Sequence, residues 1–259
     1  MEQMNWHMAR AALEWQAELG AVDAIGDAPI DRYGVLAEKP KPVVTTVVSA
    51  PGITAAVALD PVVIAENSAA AAQDLAGLKQ ALQDFPHCEL QRGARNLVFS
   101  DGIPGARVMI LGEAPGREED LHGLPFVGPA GLLLDKMLAA IGLNRAENVY
   151  IGTVIPWRPP QNREPKAEEI AMMMPFVRRH VALAAPDVLI CMGNTSCSAI
   201  LDKRGVNKLR GQWHEGLGLP VLPMVHPSNL LRQPAGKKQA WQDLLALKAW
   251  LREYAVGEL

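Results

Sequence analysis

The stretch RVMILGEAPGREED, residues 107–120, reads as an apolar β-strand running straight into a glycine- and proline-marked turn that exposes backbone amides and places carboxylates at the strand tip. Three more runs have the same character: NVYIGTV at 148–154, DVLICMG at 187–193 and PVLPMV at 220–225. Between and after them lie helical patterns at about 129–142, 166–185, 194–203 and 237–254. Strands that are apolar on both faces and alternate with helices predict an α/β fold, three-layer α/β/α with a central, mainly parallel four-stranded sheet. Ligands of such sheets sit outside the carboxyl ends of the strands, so the four strand tips are where chemistry is expected.

Working outward, SAAAAQDLAGLKQALQDF at 68–85 predicts the first helix of the domain, with Leu75, Leu78 and Leu82 as its apolar repeat. Residues 27–68 are rich in Pro, Ala and Val without a sustained period and read as a linker or arm. Residues 1–26 hold one amphipathic helix on which Trp6, Ala12, Leu13 and Trp15 share a face. That helix either docks on the domain, residues 69–259, or recruits a partner. No apolar stretch approaches the roughly 18 to 20 residues needed to cross a bilayer, and the N-terminus lacks a signal peptide's apolar run. Cys88, Cys191 and Cys197 form no CxxC pair. A monomer in the reducing cytoplasm, without membrane attachment, is expected.

The net charge of −3 conceals an asymmetry: residues 1–80 carry 5 basic against 10 acidic side chains, and residues 81–259 carry 20 against 18. Within 201–240, Lys203, Arg204, Lys208, Arg210, Arg232, Lys237 and Lys238 stand against only Asp202 and Glu215. Such an excess either contacts phosphates or forms an ordinary solvated face.

The first tip, GEAPGREED, offers Glu113, Glu118, Glu119 and Asp120 as carboxylates able to orient water. Immediately downstream, PFVGPAG places Phe126 in a loop before a helix, where an aromatic can stack on a planar base for about 1 to 3 kcal/mol. The second strand leads into IPWRPPQNREP at 155–165, carrying Arg158, Asn162 and Arg163. The fourth ends in MVHPSNLLR at 224–232, which puts His226 at a strand tip with Pro227 fixing the turn. Polar and aromatic residues converging on short Gly/Pro loops at neighbouring strand ends are what a binding site looks like.

Taken together, GEAPGREED with PFVGPAG, then RPPQNREP, then HPSNLLR resemble the uracil-DNA glycosylase superfamily, specifically its family 4 branch, over about residues 85–252. The resemblance implies an enzyme that flips uracil from DNA and hydrolyses its glycosidic bond. It implies Glu113 as the acid that positions water or stabilises the cationic sugar, with Glu119 and Asp120 as weaker candidates. Phe126 becomes the aromatic that stacks on uracil, beside Gly112 and Ala114 of the same pocket. His226 becomes the donor to uracil O2. Pro227 to Arg232, including Ser228, becomes the segment that enters the minor groove, with Leu230 or Leu231 as the wedge. Phosphate contacts fall to Arg158, Asn162, Arg163, Arg232 and the basic cluster.

Two departures from the family pattern stand out. Typical members hold a four-iron-four-sulfur cluster through four cysteines; the matching positions here read Phe85, Cys88, Trp157 and Met173, so no cluster and no metal are expected. Where relatives pair an asparagine with the uracil edge, this chain reads Thr153, whose hydroxyl cannot make paired amide contacts. A broadened choice of deaminated bases, such as hypoxanthine, is then one alternative to strict uracil excision. A damage-binding module with little turnover is another. A phosphate-cradling hydrolase is disfavoured because no P-loop Lys-Ser/Thr pair follows the turn.

Overall fold

The structure is a computed structural model that describes residues 60–255 together with Trp6, Arg10 and Gln16. The chain divides into two units, residues 1–56 and 57–259, and the sheet lies in the second. Of the helix expected within residues 1–26, Trp6, Arg10 and Gln16 are helical and exposed; the rest of it, and residues 27–59, lie outside the described residues.

Two helices open the domain, α1 at Pro61–Ala71 and α2 at Leu75–Gln83. This corrects both the single helix starting near Ser68 and the linker reaching to residue 68. Asp60 caps α1 by accepting the Val62 amide at 2.9 Å, with Pro61 at the first helical position, so a Pro of the stretch read as a linker starts a helix. Asp74 restarts the helix by accepting the Gly77 amide at 2.7 Å. The break between them is pinned by Arg179, whose guanidinium donates twice to the Ala72 carbonyl at 3.0 and 2.7 Å.

After a short helix α3 (Leu90–Gly93) come β1 (Ser100–Gly102), β2 (Val108–Gly112), α4 (Arg117–His122), α5 (Pro129–Ala139), β3 (Val149–Thr153), α6 (Ala167–Ala184), β4 (Val188–Met192) and α7 (Asn194–Leu201). The chain continues through α8 (Val206–Leu209), β5 (His214–Gly216), β6 (Leu219–Met224), α9 (Pro227–Arg232) and α10 (Lys237–Ala255). The sheet has six strands in the order β1-β3-β2-β4-β6-β5, not four. Its four parallel strands are the expected ones; β1 and β5 add antiparallel edges. These edges are three-residue segments, SDG and HEG, held by backbone pairing and carrying no apolar run.

Alternation along the strands separates two cores. Met109 and Leu111 of β2 join one cluster with residues of α1, α2 and α6, while Val108 and Ile110 join the other with α5 and α10. From β2 the chain goes to β3 on one side and then crosses to β4 on the other. The carboxyl end of β2 is therefore the topological switch point, where a crevice opens.

Candidate active site

A cleft of about 520 Å³ lies at that switch point, within the usual size range for small-ligand sites. Glu113, Phe126, Thr153, Thr195 and His226 line it, contributed from the carboxyl ends of all four parallel strands and the segments that follow them.

Glu113 follows β2 directly, and its Oε1 accepts the Thr195 amide at 2.8 Å in the first turn of α7. Gly193 makes this approach possible. Its φ is +99°, and a Cβ there would lie 2.6 Å from the Glu113 carboxyl carbon. The sequence places chemistry at this third tip as at the others but marks no residue of it, although Gly193 also stands between a strand and a helix. The contact runs through a backbone amide, so no side-chain type marks it.

Phe126 has a left-handed φ of +53°, a costly conformation for a residue with a Cβ. Its ring stacks on His226 with centroids 5.3 Å apart and planes 25° apart. Gly112 gives the ring its seat, because a Cβ there would meet the ring edge at 2.7 Å. Glu119 reaches the loop from α4: one oxygen accepts the Gly116 amide at 3.1 Å, the other those of Val127 and Gly128 at 3.1 and 3.0 Å. Glu119 thus lines the cleft but is occupied as a clamp between two loops, rather than turned to a ligand. Asp120, the other weaker candidate, is buried outside the cleft, where it accepts the Arg95 amide at 2.8 Å. An acidic run on a helix spreads its side chains over different faces, and only one face of α4 meets the site.

His226 caps α9, and its Nδ1 accepts the Ser228 backbone amide at 3.2 Å. The Ser228 hydroxyl is also 2.8 Å from Nδ1. A backbone N–H can only donate, so Nδ1 carries no proton, and a neutral ring must bear its proton on Nε2. Burial pushes the His226 pKa below the ordinary value against the opposing pull of Glu113 and Glu119, which favours that neutral ring. The result is a neutral hydrogen-bond donor.

Thr153 is buried, and its hydroxyl is directed at the Val98 carbonyl at 3.4 Å, while its methyl lies on the Gly112 side. Ala114, Asn162, Arg163, Ser228 and Arg232 also border the cleft. Arg163 makes a two-pronged ion pair with Glu169 at 2.9 and 2.6 Å. Arg158 does not line the cleft and donates to Asn162 at 2.7 Å. On α9, Pro227 and Leu230 are buried, Leu230 at 1% exposure, whereas Leu231 is 46% exposed. Leu230 therefore belongs to the core, and of the two leucines only Leu231 is presented outward. Arg232 bonds to Asn229. Of the basic cluster, Arg210 is locked to buried Asp243 at 2.6 Å and Arg204 to Glu164 at 3.0 Å, so the cluster is smaller than its sequence count.

Phe85, Cys88, Trp157 and Met173 are all buried within one apolar cluster, with Phe85 packed edge-on to Phe176 at 5.3 Å. The Cys88 thiol is pushed up by burial. One thiol among three apolar side chains does not fit an iron-sulfur cluster, which takes four thiolates. Among the described residues, no group of three or more His, Cys, Asp or Glu is placed to hold a metal ion.

The cleft therefore offers a carboxylate, a neutral imidazole donor and an aromatic face. It can hold a flat heterocycle while positive charge develops toward Glu113 and negative charge toward His226.

Comparison with known proteins agrees with this chemistry. A family model described as the uracil DNA glycosylase superfamily matches residues 99–245. A type-4 uracil-DNA glycosylase of Thermotoga maritima is 37% identical over 171 residues, spanning 64% of this chain and 88% of that protein. One from Archaeoglobus fulgidus is 36% identical over 165 residues, spanning 60% and 82%. A DNA polymerase of Bacillus phage SP01 is 31% identical over 150 residues, which are 58% of this chain but only 16% of that protein.

Proposed function

Because this chain belongs to the uracil-DNA glycosylase superfamily, we propose that it excises uracil from DNA, hydrolysing the bond between the base and deoxyribose to leave an abasic site. The observation that carries this reading is the pairing across one cleft of a carboxylate fixed by a helix amide with a neutral histidine donor, beside a stacking aromatic.

The anomeric carbon is out of reach inside a stacked duplex, so the nucleotide must first be extruded, at a cost of a few kcal/mol. Leu231 fills the vacated space, and Phe126 receives the base. As the glycosidic bond lengthens, electrons move onto uracil and the sugar becomes oxocarbenium-like. The Nε2–H of His226 donates to O2, where that negative charge gathers; preorganised donors of this kind are worth about 3 to 4 kcal/mol. Glu113 stabilises the cationic sugar and orients the attacking water. The three strand-tip motifs hold no lysine, so no Schiff-base step follows.

The chain does this without an iron-sulfur cluster, its place taken by apolar packing of Phe85, Trp157 and Met173. We further propose that it works as a monomer in the cytoplasm; its three cysteines are free and buried, which fits a reducing compartment. Among the described residues, no helix is long and apolar enough to cross a membrane.

The test is release of free base from duplexes containing uracil, with chelator present and no metal added, together with the iron content of the purified protein. Free uracil from iron-free protein is the expected result. DNA binding without release would leave a damage-recognition module.

The geometry of Thr153 supports a second reading, a broadened base choice. With its proton directed at Val98, the hydroxyl can accept from N3–H of uracil but offers no donor to O4. Hypoxanthine should then be released at a measurable rate, and Thr153→Asn should raise the uracil-to-hypoxanthine ratio by about tenfold. An unchanged ratio would remove Thr153 from base selection.

A further inference from the structure

Arg145 lies between α5 and β3, outside every strand-tip motif, with its side chain only 19% exposed. Its Nε and Nη2 donate to Asp135 at 2.9 and 2.7 Å, and its Nη1 donates to Asp101 at 2.8 Å. Two carboxylates would by themselves make this a structural charge cluster. The remaining contacts point elsewhere: Nη1 donates to the Pro125 carbonyl at 3.1 Å and Nη2 to the Phe126 carbonyl at 2.8 Å.

Those two carbonyls frame the residue whose φ is +53° and whose ring stacks on His226. Helix α5 passes so close beneath that a Cβ on Gly131 would lie 1.7 Å from the Phe126 carbonyl oxygen. The loop is thus held from two sides, its carbonyls by Arg145 and its following amides by Glu119. A non-glycine residue persists in a left-handed conformation only when its surroundings over-determine it. A lysine could not replace the fork, because a single ammonium lacks the planar set of donors that spans two carboxylates and two carbonyls.

We propose that Arg145 is the positioning residue for base stacking: it holds the Pro125 and Phe126 carbonyls so that the Phe126 ring stays aligned with His226 when a nucleobase enters. This rests on the reading of the cleft as the uracil pocket. Arg145 touches no substrate and acts through Phe126.

The test combines Arg145→Met with Phe126→Ala in single-turnover excision of uracil. Arg145→Met alone should slow excision about ten- to hundredfold, the range expected for a misplaced stacking group. In the Phe126→Ala background the same change should cost less than about twofold, since the group it positions is gone. Affinity for a duplex carrying an abasic-site analogue should match wild type, because no base is present to stack. A merely structural arginine would weaken that affinity and multiply the Phe126→Ala defect, and either result overturns the proposal.

An independent readout is amide hydrogen exchange at Val127 and Gly128, expected to quicken about tenfold or more in Arg145→Met while Met109 to Leu111 of β2 are unaffected. Should Arg145→Met fail to fold, Asp135→Asn removes one anchor of the fork and should show the same pattern, smaller. If the wild type releases no uracil, the pocket reading falls; unchanged exchange at Val127 and Gly128 instead overturns the role of Arg145.

Discussion

At the carboxyl edge of the sheet, Glu113 rests on the Thr195 amide, His226 on the Ser228 amide, and Phe126 keeps a costly backbone angle. On the flank beneath α1, α2 and α6, the side chains of Phe85, Trp157 and Met173 are buried in one apolar cluster. Both regions are rigid, but for different reasons. The edge is fixed by directional hydrogen bonds to backbone groups, which aim a few atoms at one point. The flank is fixed by close packing, which aims nothing but resists any loss of volume. A change at the edge should therefore appear as lost rate, and a change on the flank as lost stability.

The largest effect expected is at the edge. Glu113→Gln keeps the shape and the acceptor for Thr195 but removes the charge, and single-turnover excision should fall about a hundred- to thousandfold with thermal stability nearly unchanged. A loss below about fivefold would show that the carboxylate charge is idle and would break the contrast from that side. Met173→Ala probes the flank. It should cost about 3 kcal/mol or more in urea denaturation while the folded enzyme keeps its rate, because the residue is completely buried and lines no part of the cleft. A rate loss comparable to that of Glu113→Gln would mean that the two regions are coupled.

A smaller effect sharpens the comparison through pH. His180 borders the same small void of about 10 Å³ as Met173, bonds to the Tyr150 hydroxyl at 2.8 Å and stacks on Phe99. Burial pushes its pKa down to about 4, against about 6.5 in an unfolded chain. Between those values the folded ring is neutral and the unfolded one protonated, so the unfolded state binds more protons. Stability is therefore full above about pH 6.5 and falls as the pH drops toward 4. From pH 7.5 to 4.5 the loss should be about 2 to 3 kcal/mol. His180→Gln, which can still bond to Tyr150, should lose correspondingly less in urea denaturation across the same interval. Equal losses in the two proteins would take His180 out of the acid response.

The parallel strands and their four tips were legible in the sequence, because continuous apolar runs ending in Gly and Pro have few other readings, but site residues were marked at only three of the tips. The edge strands were not, since SDG and HEG are strands only by virtue of the neighbours they pair with. The division of α1 from α2 turned on Asp60-Pro61 and Asp74, where the residues that start a helix also punctuate loops. Within the site, Glu113, Phe126 and His226 came from their motifs, whereas Thr195 and Arg145 act through backbone groups that no side-chain pattern encodes. The phase of α9 does not separate Leu230 from Leu231, because they fall three and four residues after Pro227, both within reach of one helical face; only the packing in the folded domain buries Leu230 and leaves Leu231 exposed.

The most direct measurement of the account is alkali-revealed cleavage of a labelled duplex containing one uracil, with wild type and His226→Ala side by side in chelator. Wild type should cut, and the variant should be slowed about a hundred- to thousandfold while binding the duplex as tightly. Equal rates in the two proteins would contradict it, because the neutral imidazole donor would then have no part in breaking the bond.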